Sequence, residues 1–213
     1  GLFGMFVADK ADESRIPKLM KGLKEKNIWV VPTQCLAERW FSPDKTPEAL
    51  AAQPEMIYMK EDVLKNWINN KKGIMSNPNY KADDIRKFVE LRRKLILECQ
   101  KNGVGLLLGS DAPQVFDVPG FSIHHELKYM VDAGLTPYQA LQTGTVNPAI
   151  YFGLTKSGMI KTGYISDLVL LEGNPLENIA NTKRIAGVMI GTHWFAKDMI
   201  AADLKQLQKS KPF

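Results

Sequence analysis

The sequence has few cysteines and few histidines. It contains two cysteines, Cys35 and Cys99, and three histidines among 213 residues. The two cysteines are too few for a disulfide framework and lie too far apart for a zinc ribbon. Both stand in apolar surroundings, so we expect them to be small core residues. The fold must then depend on an ordinary hydrophobic core, which a chain that is 45% hydrophobic can supply.

Long hydrophobic runs and dense blocks of one charge are also missing. No apolar run is long enough to span a membrane, and no signal peptide opens the chain. The net charge is +5, but the lysines are scattered as on solvated helix faces, so nucleic-acid binding is not expected. The chain opens at Gly1 rather than at a methionine, which predicts that it is part of a longer protein. No compartment is therefore predicted from its first residues.

One stretch, residues 103–113, combines a strand pattern with a candidate chemical group. Val104–Leu108 is almost wholly apolar and lies between two glycines, which predicts a strand of a parallel sheet that is buried on both faces. Asp111 follows on a tight turn. Because ligands collect at the carboxyl ends of strands in α/β folds, Asp111 is a candidate metal ligand or base. Asp is also common in turns and helix caps, and on spacing alone that structural role is favoured.

The segments before this strand predict a β/α arrangement. An amphipathic helix should begin near Ile16, since Pro17 is tolerated only in the first helical turn. The apolar run Ile28–Val31 after it predicts a second buried strand. A further amphipathic helix, from residue 83 or 84 to Asn102, leads into Val104–Leu108. The order of strand, helix and strand predicts a right-handed parallel crossover in an α/β fold.

A long insertion, residues 34–80, separates the first predicted strand from the helix of this crossover. It is rich in proline and aromatic residues, and it includes Trp40, Phe41 and a possible short helix at 60–70. Long connections at the carboxyl ends of strands are usually functional, so a lid or a substrate-pocket wall that uses these aromatics is one hypothesis. The other is a satellite hydrophobic cluster that packs the insertion against the rest of the fold.

Helix signals follow Asp111, and the pattern changes near residue 156. We expect Ser122 to cap a helix, Thr136-Pro137 to open a second with a capping box, and Asn147-Pro148 to repeat that device. Residues 156–197 carry glycine-punctuated β runs, including 167–171 and 185–190. The predicted domains are 1–155 (α/β, with the insertion), 156–197 (a small β element) and 198–213 (a terminal helix).

Several motifs resemble the carboxyl-terminal half of the metal-dependent amidohydrolase superfamily, in its imidazolonepropionase and Xaa-Pro dipeptidase-like branch. The resemblance covers nearly the whole chain and rests on motifs that occur in the same order. They are Val-Val-Pro-Thr at 30–33, Gly-Ser-Asp-Ala at 109–112, His-Glu-Leu at 125–127, Ala-Gly-Leu-Thr-Pro at 133–137, Thr-Val-Asn-Pro-Ala at 145–149, Gly-Met-Ile-Lys-Thr-Gly at 158–163, Ser-Asp-Leu-Val at 166–169 and Asn-Pro-Leu at 174–176.

The resemblance implies a fold and a chemistry. The fold would be the carboxyl-terminal part of a (β/α)8 TIM barrel, its last two strands and their helices, with the carboxyl-terminal strands of a small β-sandwich. The complete enzyme would hold one or two divalent metals, expected to be zinc, and would hydrolyse a C–N bond. Asp111 matches the metal ligand and proton-transferring base of the eighth strand. His125, Trp40 and Phe41 are expected to contact a small amide or dipeptide-like substrate, although packing roles are favoured for His124 and His125.

The sequence departs from the family in its metal ligands. The family uses a His-x-His pair and further histidines, whereas His124, His125 and His193 include no such pair. We therefore expect that strands one to six are absent, and that the chain alone binds no metal stably and is inactive. Its expected partners are the missing half of the barrel or a second copy of itself. A non-catalytic binding or scaffold protein that retains the half-barrel is the alternative function.

Overall fold

The computed structural model describes residues 2–210 and forms an α/β fold that ends in a small antiparallel sheet. Helices and strands take up most of this range, with short 3-10 turns between them. The helices are α1 (Ile16–Glu25), a π-helix (Leu36–Phe41), α2 (Pro47–Ala51), α3 (Glu61–Met75), α4 (Ala82–Asn102), α5 (Ser122–Asp132), α6 (Pro137–Thr143), α7 (Val146–Tyr151) and α8 (Lys197–Ser210); the strands are β1 (Leu168–Leu171), β2 (Ile185–Ile190) and β3 (His193–Ala196).

The two predicted parallel segments pair, but over a single bridge. Val30 and Leu106 form a parallel bridge in which Val30 donates to the Gly105 carbonyl and Leu107 donates to the Val30 carbonyl, both at 2.9 Å. The next amide, that of Leu108, donates to the Thr143 carbonyl instead of extending the ladder. Regular strands over 28–31 and 104–108 are therefore wrong, while their parallel alignment is confirmed.

Burial also differs from the prediction for the first of these segments. Ile28 is 44% exposed and Val31 is 47% exposed, whereas Leu106 is 1% exposed. The buried residues of the second segment join the main core with side chains from α1, α4, α5 and α6. That cluster includes Ile16, Met20, Ile96, Cys99, Val104, Leu106, Leu127, Met130, Leu135 and Ala140.

Local helix signals were partly right. α4 ends at Asn102 and is followed by Gly103 in the left-handed conformation (φ 67°), and α6 begins with the predicted capping box of Thr136 and Gln139. Ser122 is not a cap, because its hydroxyl lies 2.7 Å from that of Ser110. Asn147 lies inside α7 and donates to the Leu106 carbonyl at 2.8 Å. In both cases a distant hydrogen-bond partner replaces the local capping bond.

The insertion is packed against the loop that follows Asp111. Leu50, Met56, Met59 and Trp67 are buried together with Val115, Phe116 and Val118. This cluster is the packing arrangement that we considered as the alternative to a lid. The predicted short helix is present as α3, and it is longer than expected.

The carboxyl-terminal part is a three-stranded antiparallel sheet in the order β1-β2-β3. Leu168 pairs with Met189, and Ile190 pairs with His193. The terminal helix begins one residue earlier than predicted, at Lys197, and residues 211–213 of that prediction lie outside the described range. Between residues 2 and 210, no helix has the length and apolar character needed to cross a membrane.

Candidate functional site

Asp111 stands on an exposed turn directly after the second paired segment. Its backbone adopts the left-handed conformation (φ 61°), which Asp tolerates better than most residues. The preceding Ser110 is buried and is held by its hydroxyl contact with Ser122. The turn is therefore anchored on one side, while the Asp111 side chain stays accessible to solvent and ligands.

A matching turn follows the first paired segment. Thr33 has φ 46°, and the chain then enters the π-helix. The next two amide groups, of Gln34 and Cys35, donate to the carboxylate of Glu126 at 2.9 and 2.8 Å. Glu126 is fully buried; burial raises the pKa of its carboxyl, and the two amide donors act in the opposite direction.

Arg39 is a buried cation that joins the insertion to the loop after Asp111. It donates to the Phe116 carbonyl from Nε (3.0 Å) and Nη2 (2.7 Å), and Nη2 also donates to Gln53 (2.6 Å). Its Nε lies 3.2 Å from Asp117 Oδ1, but that N–H points to the Phe116 carbonyl. Of the atoms that the structure describes, none donates a hydrogen bond to either carboxyl oxygen of Asp117.

The environment of Asp117 changes its protonation. Asp117 is fully buried, and this burial raises the pKa of its carboxyl from 3.8 to about 8, against the opposing charge of Arg39. The negative charges of Glu126 and Asp111 act in the same direction as burial. At neutral pH the protonated form of Asp117 is therefore favoured. Asp111, on the same loop, is exposed at the surface.

The adjacent histidines of α5 point to different parts of the fold. His124 Nδ1 lies 3.0 Å from the Thr182 hydroxyl, and His125 Nε2 lies 2.7 Å from Glu55 Oε1 in the insertion. Burial lowers the pKa of both histidines. Burial raises the pKa of Glu55, but the His125 bond, a backbone bond and nearby positive charges together lower it to about 2. His125 thus ties the insertion to α5, which is the packing role that we favoured.

Trp40 and Phe41, the two aromatic residues predicted to contact substrate, differ in their burial. Phe41 is 1% exposed and packs beside Phe88 and Trp40. Trp40 is half-buried, and its indole Nε1 has no hydrogen-bond partner among residues 2–210. Phe41 therefore packs the core here, and a substrate contact by its ring stays a prediction.

The described residues do not fit a complete metal centre. Within residues 2–210, no group of three or more His, Cys, Asp or Glu side chains is arranged to hold a metal ion. A catalytic zinc needs three protein ligands, and Asp111 offers one. Further ligands would have to come from outside the described range.

The buried charges in this region had few signals in the sequence. Glu126 stands in a helix beside two histidines, where a carboxylate is ordinarily a surface group. Asp117 interrupts the apolar stretch 115–118, and Arg39 stands with Glu38 between Leu-Ala and Trp-Phe. A charge within an apolar stretch was the available signal for both, because such a stretch tends to be buried and charges are buried only when paired.

Comparisons with known proteins agree on one family. The model of the Amidohydrolase family matches residues 3–195. An adenine deaminase of Methanothrix thermoacetophila is 31% identical over 71 residues, which are 33% of this chain and 12% of the relative. The ochratoxinase of Aspergillus niger is 35% identical over 82 residues, which are 37% of this chain and 16% of the relative.

Solved structures of this family share the fold. A bottromycin amidohydrolase has a TM-score of 0.68 at 15% identity, and the match covers 97% of this chain and 47% of that one. A Xaa-Pro dipeptidase has a TM-score of 0.56 at 20% identity, with 84% and 37% covered. The chain thus spans less than half the length of these proteins. Because the family model covers nearly its whole length, the chain belongs to the amidohydrolase family.

Proposed function

We propose that the protein is a metal-dependent hydrolase that cleaves a C–N bond in a small non-peptide or dipeptide-like amide. Family membership supports the reaction class. The observation that carries the proposal is the position of Asp111, an exposed carboxylate on a left-handed turn directly after a segment of a parallel pair. Carboxyl ends of parallel strands are where α/β enzymes collect their reacting groups.

Asp111 has two roles in this proposal. As a base, it takes a proton from the water that attacks the amide carbonyl carbon, and it then gives that proton to the leaving nitrogen. As a ligand, it contributes one of the donors for one or two divalent metals, proposed to be zinc. The other metal ligands would come from outside residues 2–210, where the remaining strands of a (β/α)8 barrel are also proposed to lie.

Trp40 and His125, which are less buried than Phe41, are the proposed substrate contacts. The Trp40 indole N–H is buried and has no partner among the described residues, so it would donate to a substrate carbonyl or carboxylate only after the ring or its neighbours move. The His125 side chain is 15% exposed and already bonds Glu55. It would contact substrate through the exposed edge of its ring, or after giving up the bond to Glu55. Phe41 would contribute only if its cluster opened.

The exposed edge of the parallel pair needs a partner in this proposal. Ile28 and Val31 expose apolar side chains on the segment that carries Val30. Exposed apolar strand edges favour pairing with another strand. The proposed occupant is the rest of the barrel, and self-association through the same edge is the competing outcome. A stable monomer of residues 1–213 at low concentration, measured by light scattering, would contradict both.

The test is a hydrolysis assay of the full-length protein with a defined panel. The panel contains an N-acylated amino acid, an Xaa-Pro dipeptide and adenine, and metal content is measured by mass spectrometry on the same sample. We expect stoichiometric zinc or another divalent metal, and turnover of at least one amide that a chelator abolishes. A folded protein with neither metal nor turnover would instead support the scaffold alternative.

A further inference from the structure

Two residues that are not glycine adopt the left-handed backbone conformation at equivalent places. Thr33 (φ 46°) follows the segment of Val30, and Asp111 (φ 61°) follows the segment of Leu106. For a β-branched residue such as threonine this conformation is a strained outlier. Such strain persists only where the surrounding structure holds the residue in place, and it concentrates at functional sites.

The contacts that hold the Thr33 turn come from two helices. Glu126 of α5 accepts hydrogen bonds from the amides of Gln34 and Cys35, which are 92 and 91 residues away in the chain. Arg92 of α4 donates to the Thr33 carbonyl (3.4 Å) and to Gln34 Oε1 (3.1 Å). Of these contacts, those with the Glu126 carboxylate are the ones that satisfy the two backbone amides next to Thr33.

The same helix also holds the Asp111 turn. Ser122 lies one turn before Glu126 on α5, and its hydroxyl is 2.7 Å from that of Ser110, the neighbour of Asp111. The first two turns of α5 therefore touch both strained turns. A change in the bond at Glu126 would alter the position of one turn relative to the other.

We propose that Glu126 is a positioning residue, which holds the strained turn at Thr33–Cys35 in a fixed place relative to the turn of Asp111. It is buried and does not itself meet substrate. The claim that Glu126 holds the turn stands on the contacts alone. The claim that this positioning serves turnover rests on the proposed function, so the experiment separates the two.

The structural arm uses Glu126→Gln in the full-length protein, because glutamine keeps the size but can accept only from one of the two amides. Hydrogen exchange of peptides within residues 30–41 and site-resolved alkylation of Cys35 report on the turn. We expect both to rise about tenfold or more, since a buried amide loses its acceptor. Cys99, which is buried in another cluster, should be unchanged. Asp132→Asn, an exposed carboxylate on the same helix, is the matched control.

Thr33→Gly tests whether Glu126 is needed to hold the strained left-handed conformation at residue 33. Glycine adopts the left-handed conformation without strain, so in this background Glu126→Gln should raise exchange and alkylation much less. The comparison also cancels the direct effect of the lost charge, which is the same in both backgrounds. Equal increases in the two backgrounds, or a parallel rise at Cys99, would overturn the proposal. If Glu126→Gln does not fold, a folded double variant with a protected Cys35 supports the proposal, and an unfolded one contradicts it.

The catalytic arm uses the amide that the hydrolysis panel identifies. Glu126→Gln should lower kcat about tenfold or more with KM changed less than about threefold, and Thr33→Gly should restore part of kcat in the double variant. Unchanged kcat in a variant with a loosened turn would show that the positioning does not serve turnover. A wild-type protein that cleaves no amide would refute the proposed function, while the exchange data would still decide the role of Glu126.

Discussion

His125 and Glu55 are 70 residues apart in the chain, yet His125 Nε2 lies 2.7 Å from Glu55 Oε1 with both side chains largely buried. This contact joins the insertion to the helix that follows Asp111. Together with the bonds of Arg39 to the Phe116 carbonyl, it fixes the insertion onto the loop that carries the proposed catalytic carboxylate.

The His125 contact predicts a loss of stability in mild acid. Burial holds the pKa of folded His125 below 6.5, so the unfolded chain binds the proton first as the pH falls. The free energy of unfolding should therefore decrease below about pH 6.5. Glu55 affects stability at lower pH, between about 4.5 and about 2, because folding lowers the pKa of its carboxyl. His125→Gln, which can still donate to Glu55, should lose less stability between pH 7.5 and pH 5.5.

Urea unfolding at the two pH values measures this difference. His193→Gln is the control, since His193 is exposed on β3. If the His125→Gln protein lost as much stability as the wild type over this interval, the buried neutral histidine would not be its source.

Asp117 is predicted to change the free energy of unfolding with pH in the opposite direction to His125. Its pKa rises from 3.8 to about 8 on folding, because the carboxyl is buried, so the folded state binds more protons between these values. The contribution of Asp117 to the free energy of unfolding should therefore decrease as the pH rises through that range. Asp117→Asn removes the titration and should lose less stability than the wild type between pH 5 and pH 8. Asp203→Asn, exposed on α8, should behave like the wild type in the same urea titrations.

Lys71 holds the end of the π-helix that carries Arg39. Its ammonium donates to the carbonyls of Arg39 (2.8 Å), Trp40 (3.2 Å) and Ser42 (2.7 Å), and the side chain is fully buried. Burial lowers its pKa to about 8, which leaves the ammonium form favoured at pH 7. Lys71→Met should cost on the order of 3 kcal/mol in the free energy of unfolding, because three carbonyls, two of them in fully buried bonds, lose their donor.

The neighbouring lysine provides the control for that substitution. Lys72 is exposed and pairs with Glu48 at the surface. Lys72→Met should change the free energy of unfolding by no more than about 0.5 kcal/mol. Equal effects of the two substitutions in chemical denaturation would show that the buried carbonyls do not depend on Lys71.

Gly105 allows the close approach of Trp29 beside the parallel bridge. A Cβ atom at Gly105 would lie 2.2 Å from the Trp29 ring, so Gly105→Ala must displace that ring. We expect a loss of about 1–3 kcal/mol in the free energy of unfolding. Gly73 on α3 has open space around it, and Gly73→Ala should be neutral or stabilising by up to about 1 kcal/mol. A Gly105→Ala protein as stable as the wild type would contradict this packing.

Features that depend on neighbours in the chain were predictable from the sequence. The capping box of Thr136 and Gln139 and the left-handed end of α4 at Gly103 are set by local hydrogen bonds and glycine's conformational freedom. The position of Asp111 on a turn after an apolar segment was predictable for the same reason.

Features that depend on distant partners were not predictable. Ser122 and Asn147 are residue types that often cap helices. Their side chains instead form hydrogen-bond contacts with Ser110 and with the Leu106 carbonyl. The bond of Glu126 to the Gln34 amide spans 92 residues, and nothing in a single sequence pairs two such positions. The single parallel bridge has a similar cause, since the Leu108 amide turns to the distant Thr143 carbonyl.

The most direct test of the proposed function is the turnover of Asp111→Asn in the full-length protein, on the amide that the panel identifies. Asparagine keeps the size of the side chain but cannot accept the proton, so kcat/KM should fall by about 100-fold or more, the contribution expected of a general base. Asp132→Asn should keep wild-type turnover, and both variants should unfold at the wild-type urea concentration. Wild-type kcat/KM in a folded Asp111→Asn protein would contradict the assignment of Asp111 as the proton-transferring carboxylate.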